Sequence, residues 1–163
     1  MIPFLMTLAC FNAAATETPS ADHLKTVDAE TVDWKAKELP YWKEVLSDEQ
    51  VRVCRQAGTE RPWSSPLNEA KGSGAYTCSS CGLALFDQDA KFDSGTGWPS
   101  FTAPVADEAV SLHSDIAFGM TRTEVKCGRC DAHLGHVFND GPAPTGKRYC
   151  INGVCLLKDP STQ

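Results

Sequence analysis

Two pairs of cysteines with one spacing constrain this chain more than any other feature. Cys78-Ser79-Ser80-Cys81 and Cys127-Gly128-Arg129-Cys130 are both C-x-x-C. Tetrahedral zinc suits four thiolates supplied as two such knuckles, because the two intervening residues let the backbone turn both sulfurs toward one ion. Gly82, after the first knuckle, and Gly128, inside the second, ease those turns. One knuckle alone would fit a redox pair as well as a metal; two together favour a structural zinc. The knuckles lie far apart in sequence, so an ion held by all four clips two remote hairpins together and closes a long loop. A shell of four thiolates leaves no open position for catalysis. His133 completes a competing C-x-x-C-x-x-H pattern with the second knuckle, but with four sulfurs on offer thiolate is the better ligand.

The chain around the knuckles reads as mainly β. From Tyr76 onward, short β-branched and aromatic runs are separated by Gly, Pro, Asp and Asn. Candidate strands are Ala75–Cys78, Ala84–Phe86, Ala109–His113, Met120–Cys127, His133–Phe138 and Tyr149–Lys158. Few helix signals interrupt them, which predicts antiparallel sheets or a small open barrel with short helices on the N-terminal side. Ser47 with Gln50 forms a capping box, Leu46 and Val51 can staple it, and Gly58 is a natural C′ stop. That places Cys54 in the middle of a short helix. The 163 residues make one domain with an extra arm: residues 1–33 as arm or signal-like segment and 34–159 as the folded unit.

Four of the eight cysteines are single: Cys10, Cys54, Cys150 and Cys155. Cys150 follows Lys147 and Arg148, cations that lower a thiol's pKa if they stay near it. Asn152, two residues on, shares its face on a regular strand. His133 and His136, in HLGHVF, bring two imidazoles on another strand. A thiolate with His and Asn nearby is a nucleophile constellation. The competing reading is a buried, inert cysteine, the usual fate of this residue. His136 competes with a satisfied sheet histidine, and Asn152 with a backbone-bonding turn residue.

The segments GTERP, CSSCG, KFDSGTGWPSF, RTEVKCGRCDAHLGHVFNDGP and PTGKRYCIN occur in that order. Together they resemble the B-type methionine sulfoxide reductases, a family that reduces methionine-R-sulfoxide in proteins. The resemblance runs from about Leu46 to Leu157. It implies two antiparallel sheets with N-terminal helices. It makes Cys150 the nucleophile and Cys78, Cys81, Cys127 and Cys130 the ligands of a structural zinc. It places His133, His136 and Asn152 around the sulfoxide and Trp98 against its methyl group. It implies oxidised proteins or peptides as substrate and thioredoxin or a similar dithiol as reductant, with the protein a monomer. In such a reaction a thiolate attacks sulfur while an acid protonates oxygen, giving methionine and a cysteine sulfenic acid.

Many family members carry a resolving cysteine in the motif that reads DSGTGWPSF here, at the position where this chain has Thr96. Cys155 lies an odd five residues from Cys150, facing the other side of a regular strand, and is expected in the core. Cys10 reaches only through the arm. Cys54 is therefore the resolving candidate, against direct reduction by an external thiol with Cys54 merely packed.

A net charge of −6 argues against nucleic acid, since phosphate contacts need a basic face. No run is apolar enough for a transmembrane segment. The first residues, MIPFLMTLACFNAAATET, leave export open beside a cytoplasmic terminus, either through a signal or as an envelope lipoprotein acylated at Cys10. Two other functions fit the bare residues: a zinc-stabilised binding module with inert Cys150, and a cysteine hydrolase using Cys150, a histidine and Asn152.

Overall fold

The computed structural model describes residues 24, 30–117 and 119–158. Most of the arm read over residues 1–33, with Cys10 and the export signal, lies outside the described residues. No helix among them is long and apolar enough to cross a membrane.

The N-terminal side is helical. α1 (Leu39–Val45) buries Trp42, whose ring stacks on Trp34 at 6.1 Å. α2 (Asp48–Gln50) starts at the expected capping box: Gln50 N–H donates to Ser47 Oγ, and Ser47 N–H donates to the Gln50 side-chain oxygen Oε1. It continues as one π-helical turn over Val51–Arg55, so Cys54 sits in that turn and not at the centre of an α-helix. The left-handed residue that ends the turn is Ala57, with φ 54°, not Gly58. Gly58 is needed for a different reason: its N–H donates to the Arg52 carbonyl at 3.1 Å, and a Cβ there would come within 2.7 Å of that oxygen.

Among the described residues, nine strands follow in two antiparallel sheets. β1 (Ala75–Cys78), β2 (Ala84–Asp87) and β9 (Leu156–Lys158) form the small sheet, in the order β2-β1-β9. The large sheet has the order β3-β4-β8-β7-β6-β5. Its members are β3 (Lys91–Phe92), β4 (Ser100–Phe101), β5 (Val110–Ala117), β6 (Met120–Cys127), β7 (His133–Phe138) and β8 (Arg148–Ile151). β3 and β4 are too short to leave an alternating pattern in the sequence.

The run expected as one strand over Tyr149–Lys158 breaks in two. β8 stays in the large sheet, a 3-10 turn covers Gly153–Cys155, and β9 crosses to the small sheet. The break follows from hydrogen bonding. Asn152 N–H still donates to Leu134 on β7, whereas the next two amides, Gly153 and Val154, donate to the Glu60 carboxylate.

Aromatic rings fill the space between the sheets. Phe86 of β2 stacks on Phe101 of β4 at 4.4 Å, and Tyr76 of β1 meets Phe101 edge-on at 5.0 Å. All three are 0 % exposed. Burial of such a ring stabilises the fold by about 1.5–3 kcal/mol.

Candidate active site

The four knuckle cysteines converge as the spacing predicts. Cys78 ends β1 in the small sheet and Cys127 ends β6 in the large one, with Cys81 and Cys130 in the turns that follow. All four are buried, and their sulfurs lie within 4.8 Å of one another. Cys81 and Cys127 are 3.5 Å apart and Cys78 and Cys130 are 3.8 Å apart. Four sulfurs about 2.3 Å from a central tetrahedral ion lie about 3.8 Å apart, so the set fits a metal ion. As bare side chains they conflict: hydrogen bonding to Cys127 pushes the Cys78, Cys81 and Cys130 thiols up, while the bond from Cys130 pulls Cys127 down. A divalent cation relieves that conflict by accepting all four as thiolates. Arg55 closes the site from outside, donating to the Cys130 carbonyl at 3.0 Å. His133 is not part of the cluster; its Nδ1 lies 2.6 Å from Glu124 Oε1.

A cavity of about 150 Å³ opens on the large sheet. Cys150, His136, Asn152 and Trp98 all line it, together with Arg122, Phe138 and Thr59. His136 on β7 stands directly across from Cys150 on β8. The two strands approach closely at Gly135, where a Cβ would overlap the Cys150 carbonyl oxygen. His133 is absent from the lining, but its ring meets His136 edge-on at 5.5 Å and backs it. Burial pushes the His133 imidazole down, with the Glu124 carboxylate acting against that.

Cys150 is half-buried, and its electrostatics differ from the expectation in two ways. Lys147 takes no part: its Nζ donates to Asn139 Oδ1 at 2.7 Å. Burial pushes the Cys150 thiol up, outweighing the Arg148 guanidinium and the Thr96 hydroxyl, which pull it down. Arg148 is itself held by two bonds to Asp140, at 2.9 and 2.8 Å, and lies 4.4 Å over the Phe138 ring. On the other side of Cys150, Ser100 of β4 is its cross-strand partner. A hydroxyl chain runs from Ser100 through Ser94 to Thr96, each step 2.8 Å.

Asn152 is 3 % exposed, and its side chain is bound to backbone at both ends. Nδ2 donates to the Leu134 carbonyl and Oδ1 accepts from Glu60 N–H, each at 3.0 Å. The turn-residue reading of Asn152 therefore holds alongside its place in the cavity wall. Trp98 is fixed similarly, its indole N–H donating to the Glu60 carbonyl at 3.2 Å.

Cys54 and Cys155 correct the expectation for the resolving thiol. Cys54 is disulfide-bonded to Cys155, with Cα atoms 5.7 Å apart across 101 positions, so in this structure it is not a free thiol poised for Cys150. Cys155 is buried as expected, but the facing argument assumed one continuous strand. The 3-10 turn before β9 turns its sulfur toward the π-helical turn instead.

Sequence reasoning overlooked Asp115, Arg122 and Glu60. Asp115 Oδ2 lies 2.8 Å from both His136 Nε2 and the Arg122 guanidinium. The His136 bond first, and the Arg122 charge with it, hold the Asp115 carboxyl below its usual range. Asp115 and Arg122 pair across β5 and β6, a relationship visible only once the hairpin register is known. A larger groove of about 520 Å³ has Glu60 in its lining, but neither cysteine nor histidine lines it.

Comparison with known proteins agrees with this geometry. The family described as SelR domain matches residues 46–160. A peptide methionine sulfoxide reductase MsrB of Pseudomonas putida (strain F1) is 58% identical over 120 residues, covering 74% of this chain and 92% of the relative. The protein of that name from Pseudomonas savastanoi pv. phaseolicola is 58% identical over 125 residues, covering 77% of this chain and 95% of the relative. With the match spanning the four-cysteine cluster, the cavity and both sheets, this chain belongs to the SelR-domain family and is an MsrB-type enzyme.

Proposed function

We propose that this protein reduces methionine-R-sulfoxide in peptides and proteins to methionine, with Cys150 as the nucleophile. The observation that carries the reading is the pairing of Cys150 with His136 across adjacent strands, inside a small cavity walled by Trp98. The Cys150 sulfur attacks the sulfoxide sulfur. The oxygen is protonated as the sulfur–sulfur bond forms; the resulting hydroxyl then passes to the Cys150 sulfur as that bond breaks, leaving a sulfenic acid on Cys150 and releasing methionine. Because burial holds the resting thiol protonated, the proton lost from Cys150 can be the one the oxygen gains. His136, oriented by Asp115 and Arg122, is placed to carry it, with His133 as backing. Arg148 stabilises the thiolate as it forms. Trp98 packs the methyl group, and Asn152 shapes the opposite wall. Three distinct contacts, at sulfur, oxygen and methyl, are what a chiral sulfoxide pocket requires.

The knuckle cysteines hold zinc, whose part is structural, since four thiolates fill its shell. It ties the small sheet to the large one at the ends of β1 and β6. With Thr96 in the DSGTGWPSF segment and Cys54 bonded to Cys155, an external thiol reduces the sulfenic acid directly. A dithiol protein of the thioredoxin type suits that step.

The test is turnover of a peptide carrying methionine-R-sulfoxide, with dithiothreitol, beside the S epimer. Reduction of R and not S supports the reading. Equal reduction of both, or of neither, overturns it.

A further inference from the structure

Glu60 belongs to no part of the chemistry above, yet two of the residues that line the cavity are attached to it. Its carboxylate is buried, and burial pushes it up. Oε1 accepts from Gly153 N–H at 2.6 Å and Oε2 from Val154 N–H at 2.8 Å. Its own N–H donates to Asn152 Oδ1 at 3.0 Å, and its carbonyl accepts the Trp98 indole N–H at 3.2 Å. Asn152 and Trp98 both line the cavity, and both of these hydrogen bonds go to the Glu60 backbone, not to its carboxylate.

A buried carboxylate is a costly way to cap one short turn, because a charged group loses much more hydration than a hydroxyl or amide. What it alone supplies is two equivalent acceptors in one plane, which fix both the position and the tilt of residue 60 against the Gly153–Cys155 turn. That turn begins immediately after Asn152. The side chain thus locks the backbone of residue 60, and the backbone locks Trp98 and Asn152 at a set separation. We infer that Glu60 is a positioning residue that sets the width and handedness of the cavity, and thereby its discrimination between the two epimers of methionine sulfoxide. The inference rests on the proposed reduction at Cys150 and adds how the pocket selects its substrate.

Glu60→Gln tests it. Glutamine keeps the size but presents one acceptor and one N–H to two N–H donors, so one bond is lost and residue 60 tilts. Displacement of binding groups by a fraction of an ångström to an ångström costs roughly 10- to 100-fold in kcat/KM. The expected result is a KM for the R-sulfoxide peptide raised about tenfold and an R-over-S preference reduced about tenfold or more. Alkylation of Cys150 by iodoacetamide should stay within about twofold of the parent rate, because the carboxylate makes no bond to β8 or β7. If Glu60→Gln does not fold, Val154→Pro carries the test: it removes one donor and leaves Glu60 in place, in the first turn of a helix, where proline fits. It should shift KM and epimer preference in the same direction by a smaller factor. Variants with a lower Tm but parental KM and epimer preference would reduce Glu60 to a strut and overturn the inference. Slowed Cys150 alkylation would overturn it too, since Glu60 would then be supporting the strand of the thiol. A failure of the proposed reduction itself shows separately, as a parent protein inactive on the R epimer.

Discussion

His136 is the direct cross-strand neighbour of Cys150, one on β7 and the other on β8. Directly opposed residues on antiparallel strands hold their Cβ atoms about 4.5–5.5 Å apart. An imidazole and a thiol at that spacing can share one small substrate group with no lid or domain closure. Because both groups are carried on strands, the register that builds the sheet also builds the site.

Replacing Cys150 by Ser should remove reductase activity by about 10³-fold or more while leaving the Tm close to that of the parent, since serine is nearly isosteric and its hydroxyl is not ionised at neutral pH. Mass spectrometry of the parent after one turnover without reductant should find one added oxygen on the peptide containing Cys150. An active Cys150→Ser protein would move the nucleophile elsewhere.

His136→Asn should lower kcat by about 10²–10⁴-fold, the usual loss when a general acid is removed. Asp115→Asn should lower it by a smaller factor and change the pH profile of kcat, because Asp115 acts through the imidazole it orients. The pair is checked by steady-state kinetics at several pH values. Identical profiles for the parent and Asp115→Asn would remove Asp115 from that role.

The alkylation rate of Cys150 should rise with pH and reach its half-maximum above the value of an ordinary free thiol. Burial disfavours the thiolate, so the folded protein binds that proton more tightly. Arg148→Met should move the midpoint higher still, because it removes a charge that pulls the thiol down. A midpoint below the ordinary thiol range in the parent would mean that the cation, and not burial, controls Cys150.

Cys78→Ser and Cys127→Ser should each lose bound zinc and melt at a much lower temperature, as metal binding contributes directly to folding free energy. Metal analysis alongside a thermal melt checks both. A variant that keeps stoichiometric zinc and the parental Tm would remove that residue from the ligand set.

Breaking the Cys54–Cys155 bond should destabilise the protein without stopping its chemistry. Closing a loop of this length is worth about 4–5 kcal/mol in the chain-entropy account. Cys155→Ser should therefore lower the Tm measured without reductant, and dithiothreitol should lower the Tm of the parent but not of the variant. Cys54→Ser should retain turnover with both dithiothreitol and thioredoxin. Loss of thioredoxin-supported turnover alone would restore Cys54 to the role of resolving thiol.

What the sequence made legible was local. The knuckles, the Ser47–Gln50 capping box and most strands announce themselves over a few residues, and the structure places them where the spacing puts them. Cys150, His136 and Trp98, singled out in the sequence, line one cavity. What stayed hidden depended on remote partners. Glu60 meets amides 93 and 94 positions away, and Cys54 meets a sulfur 101 positions away. The facing of Cys155 was misjudged because a two-residue period holds only while a strand continues, and Glu60 ends that strand's pairing after Asn152. The sign of the Cys150 shift was misjudged because neighbouring cations can be counted in a sequence and burial cannot.

The Cys54–Cys155 bond also decides how the protein bears mechanical load. The cysteines lie near the two ends of the matched segment, residues 46–160, so tension between the ends runs through the sulfur bridge. β1 to β8, the four knuckle cysteines and the cavity lie within the covalent ring and are shielded from that force, whereas β9 lies just outside it. Reducing the bridge releases about 100 residues of hidden length, roughly 330–360 Å of extended chain. A protease or translocase pulling from either end would meet a short, inextensible tether in oxidising surroundings and an unravelling domain in reducing ones.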